Sequence, residues 1–387
     1  MFILSPETIT WPVWVLMGIF CIAFAIQLFY YLYFFVSVWV VSNKEKKRKV
    51  TNKNLPPISV IICAKNESQN LSNFLPSILN QQYPNYEVIV VNDGSTDESE
   101  EVLLDFKKEY PHLYHTYVPQ NTKIMSPKKL ALTVGIKAAK HDYLLFTDAD
   151  CQPVSENWIL HMAEKFTANT DFVLGYGAYE QKKGLLSHLI SYDSFFIALQ
   201  YLGFAYKGKP YMGVGRNMAY RKQLFFDMRG FASILHLQSG DDDLFVNKAA
   251  NKYNTQIVVN PESITVSGTK ECFKDWFLQK ERHLSTAAYY KNESKYLIGV
   301  EVLSRGLFYV SLIALSIYAP LLIVLATALL FLLRYGMQCI IINVSAKKLN
   351  ERRFYLSILF FDMLLPLISL LILTTNKLSK KSKYQWK

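Results

Sequence analysis

Two kinds of hydrophobic pattern occur along this chain: long unbroken apolar runs near both ends, and short apolar runs separated by polar turns between them. Val13 to Val41 is almost continuously apolar and aromatic, and no charged residue occurs between Glu7 and Lys44. A bilayer crossing needs only about 20 apolar residues. Because no small-residue cleavage site follows, we predict a retained transmembrane anchor rather than a signal peptide.

A second apolar block occupies the C-terminal part of the chain. Gly306 to Leu333 is uncharged for 28 residues, and Pro320 inside it permits either one long helix or a hairpin of two spans. Phe354 to Leu373 contains Asp362, so it either crosses the bilayer or lies partly in its interface. We therefore expect two or three C-terminal helices over 304–376.

Basic residues cluster beside the apolar runs. Asn43 to Lys49 contains five basic residues against one acid, and the positive-inside rule places this flank in the cytoplasm. The net charge of +11 is concentrated at 44–53, 347–353 and 377–387, where attraction to anionic lipids explains it without nucleic-acid binding. The rule would place both 347–353 and 377–387 in the cytoplasm. If the apolar run between them crosses the membrane once, however, the two clusters must lie on opposite sides.

The middle of the chain has the pattern of an α/β domain. Short β-branched runs at Ile58–Ala64 and Tyr86–Val91 flank a helical pattern, and a helix over Lys128–Lys140 precedes a further run at Tyr143–Thr147. Strand, helix and strand at this spacing imply right-handed crossovers and a parallel sheet. Five scattered cysteines with no Cys-X-X-Cys pair indicate reduced thiols.

The predicted organisation is an α/β domain held between membrane helices. It comprises an extracytoplasmic N-terminus (1–12), a transmembrane helix (13–41), a basic linker (42–56), the α/β domain (57–300), the C-terminal helices (304–376) and a basic tail (377–387).

Two of the predicted strands end in acids. Thr147 is followed by Asp148-Ala-Asp150, and an earlier strand runs into Asn92-Asp93-Gly-Ser. Ligands of open α/β folds bind at the carboxyl ends of strands. Asp148 and Asp150, which are separated by one residue, can together hold a divalent cation that also binds phosphate. The alternative is that each acid only caps a loop or turn. Neither Gly-X-Gly-X-X-Gly nor a P-loop motif occurs, which disfavours both of those nucleotide folds.

The order of these and later motifs resembles family 2 glycosyltransferases with a GT-A fold, and in particular their integral-membrane branch. The resemblance covers roughly 57–290 and implies a Rossmann-like, mostly parallel sheet that supports inverting sugar transfer. The motifs are Ile58–Glu67, Val90–Asp97, Lys128–Leu132, Thr147–Asp150, Gly215–Tyr220, Gly240–Leu244 and Gln279–His283.

The resemblance implies a role for each matching residue on the donor side. Glu67 and Asp93 would contact the base and ribose of a nucleotide-sugar, and Lys128 would lie near its diphosphate. Asp148 and Asp150 match the metal motif, with Asp150 the more direct ligand of Mg²⁺ or Mn²⁺.

The acidic triplet would activate the acceptor. The family pattern places the catalytic base at Asp242, with Asp241 before it, and a shift of one residue would give the role to Asp243. A carboxylate there takes the proton of the acceptor hydroxyl, and like charges nearby raise the pKa of one member. The alternative is an acidic N-cap of the helix that follows.

Four further residues are implied to contact the acceptor or the diphosphate: Asn217, Gln279, Arg282 and His283. Gln279 and Arg282 are three residues apart, so they share one face of a helix. His283 stands where the family usually has Trp, which argues against processive polymerisation. The segment around Trp276, just before this motif, either lies at the membrane surface or packs in the core.

The sequence therefore predicts a metal-dependent transferase of the cytoplasmic membrane that moves a sugar from a nucleotide-sugar, such as a UDP-sugar, to a lipid-linked or cell-envelope glycan acceptor. One alternative is a processive polysaccharide synthase, and another is a degenerate domain that only binds nucleotide or a partner. A small transporter or channel would carry polar residues inside several spans, and only Asp362 fits that description in the sequence.

Overall fold

The computed structural model describes residues 10–47, 55–119 and 126–378. In this part of the chain the strands are β1 (Ile58–Ala64), β2 (Tyr86–Asn92), β3 (Leu113–Tyr117), β4 (Tyr143–Asp148), β5 (Cys151–Pro153), β6 (Phe172–Leu174), β7 (Gly177–Tyr179), β8 (Met218–Arg221), β9 (Thr255–Ile257) and β10 (Thr265–Ser267).

The helices are α1 (Trp11–Phe29), α2 (Ser37–Lys47), α3 (Ser68–Leu79), α4 (Ser99–Glu109), α5 (Pro127–Ala138), α6 (Trp158–Ala163), α7 (Leu185–Tyr206), α8 (Lys222–Asp227), α9 (Asp243–Ala249), α10 (Phe273–Thr286), α11 (Asn292–Tyr318), α12 (Leu321–Lys348) and α13 (Tyr355–Leu378). A π-helical turn, Tyr30–Phe35, joins the first two.

The strands form a mixed sheet whose parallel half was predicted. Its order is β3-β2-β1-β4-β8-β6-β9. β1 pairs in parallel with β2 and with β4, whereas β8 is antiparallel to both of its neighbours. All seven residues of β1 are buried, as expected for a continuous apolar run in a parallel strand covered on both faces. A small second sheet has the order β5-β10-β7.

Two apolar cores cover the two faces of the sheet, and one of them continues into the membrane helices. Phe35 packs against Phe196 of α7 with ring centroids 5.3 Å apart. A Cβ at Gly203 would collide with the backbone of Phe34, so glycine is required where α7 crosses the π-helical turn. The domain and the apolar helices are therefore packed as one body rather than joined only by a linker.

Four helices of the described residues are long and apolar enough to cross a membrane: Trp11–Glu45, Asn292–Tyr318, Leu321–Lys348 and Tyr355–Thr374. The hairpin alternative for the C-terminal block is the one observed, because α11 ends at Tyr318 and α12 begins at Leu321.

The contacts between these helices give their directions. α1 is antiparallel to α11, since Phe20 stacks on Phe308 and Gln27 donates to the carbonyl of Glu301. α12 runs with α1 and against α13, so the α12–α13 loop lies beside the domain, where Glu351 accepts a hydrogen bond from Tyr176. α13 therefore points away from the domain, and the basic tail after it lies outside the described residues.

A buried polar cluster joins the four helices and was not anticipated. Asp362 of α13 is within 2.9 Å of Arg334 and 3.4 Å of Arg305, and Arg305 also pairs with Glu301 at 2.9 Å. Arg334 donates to Gln27 of α1 as well. Arg305 and Arg334 flank the uncharged run 306–333, which suggests that both lie at the ends of a span. In the structure Arg305 lies within α11, which begins at Asn292, and Arg334 lies within α12, which ends at Lys348.

Candidate active site

The predicted donor residues meet at one edge of the sheet. In the paired strands Ala64 lies opposite Asn92, and Cys63 lies opposite Asp148. Because β1, β2 and β4 are parallel neighbours, the residues that follow them emerge side by side. Glu67, Asp93 and the acids after β4 are thereby brought to the same edge, and burial together with the charges of Asp150 and Asp148 raises the pKa of Glu67.

Asp93 is a buried carboxylate, and one of its oxygens accepts no hydrogen bond from the described residues. Only 6% of the residue is exposed, and its backbone N–H donates to the Ala64 carbonyl at 2.8 Å. Its Oδ2 is buried and has no hydrogen-bond partner among the described residues. Burial raises its pKa, against the opposing charge of Lys65. Gly94 adopts a φ of 64°, a conformation that glycine adopts freely and that turns the chain directly after this acid.

Asp148 and Asp150 form the candidate metal centre. One ligand atom from each, with the Cys151 sulfur, lies within 4.8 Å of the others. Burial raises the pKa of Asp148, but the charge and hydrogen bond of Lys128 outweigh it and hold that pKa below its ordinary value. Burial and the charge of Asp148 raise the pKa of Asp150. Two carboxylates that repel each other in this way suit a hard divalent cation, which prefers oxygen ligands.

Cys151 is not suited to that ion. Burial raises the pKa of its thiol well above the ordinary value, and its sulfur is a soft ligand, whereas Mg²⁺ and Mn²⁺ prefer carboxylate oxygens. Its Sγ lies 3.4 Å from Oδ1 of Asp150 and donates to it. The thiol therefore orients the carboxylate of Asp150. The two carboxylates, Asp148 and Asp150, are the side chains here that suit a divalent cation.

Lys128 connects the metal motif to the acidic triplet. Its Nζ lies 3.0 Å from Asp148 Oδ1 and 3.6 Å from Asp241 Oδ2. The side chain comes from the first turn of α5, which begins at Pro127, a residue whose fixed φ suits that position. One ammonium group thus joins the two acidic motifs, which line a small cleft together with Cys63, Gly215 and Tyr220.

The three acids of the triplet point to different places. Asp241 faces Lys128, as described. Asp242 caps α9: its Oδ1 accepts from the backbone N–H of Asp243 at 2.7 Å and its Oδ2 from that of Gly215 at 2.8 Å. Burial and the charges of Asp241 and Asp243 raise the pKa of Asp242 to about 7.

Asp243 is occupied by structural hydrogen bonds. Its Oδ2 accepts from the hydroxyls of Thr286 and Tyr290, and its Oδ1 accepts from the backbone N–H of Leu244. The residue is 6% exposed. It therefore fastens α9 to the end of α10.

The last motif lies on α10, beside the second sheet. Gln279 donates to the hydroxyl of Tyr179 at 2.9 Å. The protein atoms around the imidazole of His283 and the positive charges of Arg282 and Arg216 lower its pKa, although the residue keeps exposed surface. The ring is thus neutral near pH 7 and can accept as well as donate a hydrogen bond.

Asn217 lies in the core of the domain and does not face the cleft. It is fully buried, donates to the carbonyls of Tyr176 and Ser263 at 2.8 and 2.7 Å, and accepts from Trp158 at 3.0 Å. All of its polar atoms are used inside the domain, so the predicted contact with the acceptor is replaced by a role in the core.

Arg216, its neighbour, was missed by sequence reasoning. Its guanidinium lies 4.1 Å from the centre of the Tyr179 ring, donates to Ser267, and its charge acts on Asp148 and Asp150. Its place in the same motif is the signal that could have found it.

Residues 59–228 match the family described as glycosyl transferase family 2. The chain carries a family 2 glycosyltransferase domain. Over 138 residues it is 30% identical to a poly-beta-1,6-N-acetyl-D-glucosamine synthase of Staphylococcus epidermidis, a match that covers 36% of this chain and 32% of that protein. A beta-monoglucosyldiacylglycerol synthase of Nostoc sp. is 29% identical over 129 residues, which cover 33% of this chain and 27% of the relative.

The matched segment of the family 2 domain spans only about a third of those relatives. A solved structure extends the likeness to the whole fold. A mannosyltransferase from Pyrobaculum calidifontis, in complex with GDP-Man and Mn²⁺, has a TM-score of 0.59 at 15% identity and covers 95% of this chain and 99% of its own. The predicted GT-A fold is confirmed, and the apolar helices fit the membrane branch of the family.

Proposed function

We propose that this protein is a membrane-bound inverting glycosyltransferase that moves a sugar from a nucleotide-sugar to a lipid-linked or cell-envelope glycan acceptor. The observation that carries the proposal is the Lys128 bridge. It holds a donor-side acid, Asp148, and a member of the acidic triplet, Asp241, within 3.0 and 3.6 Å of one ammonium group. Asp242, the base proposed below, directly follows Asp241. A transferase needs its leaving-group site and its base close together, since both act on the same anomeric carbon.

On the donor side, Asp93 and Glu67 bind the nucleoside. The unmet Oδ2 of Asp93 supports this assignment, because a buried acceptor without a partner is costly until a donor N–H or O–H reaches it. A UDP-sugar supplies both kinds of donor, on its base and on its ribose.

At the diphosphate, Asp148 and Asp150 would hold Mg²⁺ or Mn²⁺, and the bound ion would neutralise the charge that develops on the leaving group. Lys128 adds a positive charge from the protein beside it. Arg216 acts electrostatically on both acids, and Arg282 acts on Asp148. These cations orient the donor and stabilise the departing diphosphate.

On the acceptor side, Asp242 is the base. Its carboxylate takes the proton of the acceptor hydroxyl; the oxygen forms a bond to the anomeric carbon while the bond to the diphosphate breaks. Attack from the face opposite the leaving group inverts the anomeric configuration. The contact of Asp242 with Gly215, at the start of the motif predicted for the acceptor, supports this role.

The membrane arrangement supports a cytoplasmic domain. The positive segment that begins at Lys44 emerges at the domain end of α2, where Lys44 itself donates to Tyr206. By the positive-inside rule that end faces the cytoplasm, where nucleotide-sugars are available. The acceptor then enters from the inner leaflet or its surface.

A processive synthase is the second candidate, favoured by the name of the staphylococcal relative. Product length separates the two. Purified protein in lipid nanodiscs is incubated with a panel of labelled nucleotide-sugars and a membrane lipid extract. We expect one sugar per acceptor from a UDP-sugar. A ladder of products would establish the synthase, and no transfer from any donor would reject both.

Removal of the metal or of its ligand is expected to stop transfer. Asp150→Ala should lower the transfer rate about a hundredfold, as loss of one charge-stabilising group does, and EDTA should do the same to the wild type until Mn²⁺ or Mg²⁺ is restored. Asp105→Ala, which removes an exposed acid on α4, is the matched control. Full activity of Asp150→Ala would remove the metal assignment.

The rate should also depend on pH through Asp242. The base acts in its ionised form, and its pKa is raised to about 7. kcat/KM is therefore expected to rise with pH through about 7 and to level off above it. A profile that is flat between about pH 5.5 and 8.5 would mean that another group is the base.

A further inference from the structure

Lys129 is a buried cation that the proposed mechanism does not use. The residue has 0% exposure and lies one position after the lysine of the bridge, in the first turn of α5. Among the described residues it has no ion pair within 4 Å. Burying an ammonium group is costly unless strong hydrogen bonds compensate, so its partners are informative.

Both of its hydrogen bonds go to one loop. The Nζ of Lys129 donates to the backbone carbonyls of Leu237 and Ser239 at 2.6 and 2.8 Å. Ser126, at the N-cap of the same helix, donates to the carbonyl between them, that of Gln238, at 3.5 Å. Three successive carbonyls of the segment 237–239 are thus fastened to the start of α5.

That segment leads directly into the acidic triplet. Only Gly240 separates it from Asp241, and this glycine has a φ of 101° and no room for a Cβ beside Leu244. The chain therefore makes a sharp turn whose entrance is held by Lys129 and whose exit is the N-terminus of α9. A shift of the carbonyls would move the carboxylates that follow.

We propose that Lys129 is a positioning residue for the acidic triplet. With Lys128 on the donor acids and Lys129 on the loop before the base, the first turn of α5 fixes the distance between the leaving-group site and the base. The proposal rests on the proposed function. If Lys129 positions the base and does not bind the donor, its loss should lower kcat and leave the KM for the nucleotide-sugar nearly unchanged.

Lys129→Met is expected to lower kcat at least tenfold while the KM for the nucleotide-sugar changes less than twofold, because Lys128 keeps its closer partner, Asp148 at 3.0 Å, on the donor side. The loss of a positive charge near the triplet should also move the ascending limb of the pH–rate profile to higher pH. Lys129→Gln, which keeps an N–H donor on a shorter side chain, should recover part of kcat. Lys137→Met, an exposed lysine in the last turn of α5, is the matched control and should behave as wild type.

Hydrogen exchange of the full-length protein tests the loop directly. Amides of residues 235–243 should lose protection in Lys129→Met and not in Lys137→Met. If Lys129→Met does not fold, the same two measurements on Lys129→Gln decide the matter, with intermediate values expected. An unchanged kcat, pH profile and loop protection in a folded variant would overturn the proposal. Absence of transfer by the wild type would instead reject the proposed function.

Discussion

Replacing Asp242 with asparagine is expected to lower sugar transfer by about 10²–10⁴-fold, the usual contribution of a general base, without loss of donor binding. Asparagine has nearly the same shape, and its Oδ1 can still accept the hydrogen bond that caps α9, although its Nδ2 cannot accept the bond from Gly215. We therefore expect the fold to survive with a modest loss of stability. It cannot take a proton near pH 7. Transfer is measured in single turnovers with a labelled nucleotide-sugar, and donor binding by calorimetry in the presence of Mn²⁺.

The neighbouring acids are the matched controls because the three carboxylates have different partners. Asp241→Asn should weaken donor binding through Lys128, whereas Asp243→Asn should lower stability through Thr286 and Tyr290. If Asp243→Asn is folded, binds donor and fails to transfer while Asp242→Asn is active, the base lies one residue later. The same pattern in Asp241→Asn would place the base one residue earlier.

Much of the fold was predictable because its signals are local. The runs that became β1, β2 and β4 are short, β-branched and bounded by turn residues, and fully buried parallel strands require that composition. The residues after them converge for a topological reason: parallel neighbours release the chain at one edge. The convergence of Asp93, Asp148 and Asp150 could therefore be predicted, although their roles remain predictions.

Other features depend on contacts that no local pattern encodes. Asn217 sits in a motif beside the cleft, yet Trp158 and two carbonyls draw its amide into the core. Lys128 and Lys129 are adjacent and chemically identical, but neighbouring side chains of a helix point in different directions. Lys128 therefore reaches Asp148, and Lys129 reaches the loop that precedes the acidic triplet. Strands of three residues, such as β7, carry too little pattern to be found.

The buried polar cluster of the membrane helices shows the same limit. Arg305 and Arg334 read as the ends of an apolar span, and only the packing of α11 against α12 and α13 shows that both pair with Asp362. Because Arg334 is 1% exposed, its charge has no access to water. The cluster ties α1, α11, α12 and α13 into one bundle, on which the transferase domain is packed.

Asp362→Asn is accordingly expected to destabilise the bundle by about 3–5 kcal/mol, the usual cost of leaving a buried charge without its partner. Arg305 would keep its pair with Glu301, but Arg334 would lose the carboxylate with which it pairs. The measurement is the thermal unfolding of purified protein in detergent, which is monitored as the loss of the monodisperse peak in size-exclusion chromatography. Ser316→Ala, at an exposed position of α11, should leave the unfolding temperature unchanged.

The double variant Asp362→Asn/Arg334→Gln separates charge balance from the loss of individual hydrogen bonds. It restores neutrality within the cluster, and its glutamine can still bond to Tyr309 or Gln27. We expect it to recover most of the stability lost in Asp362→Asn, since residues that share a network are not additive. If the single variant is as stable as the wild type, or if the second substitution adds to the loss, the bundle is held by its apolar contacts and the ion pairs contribute little.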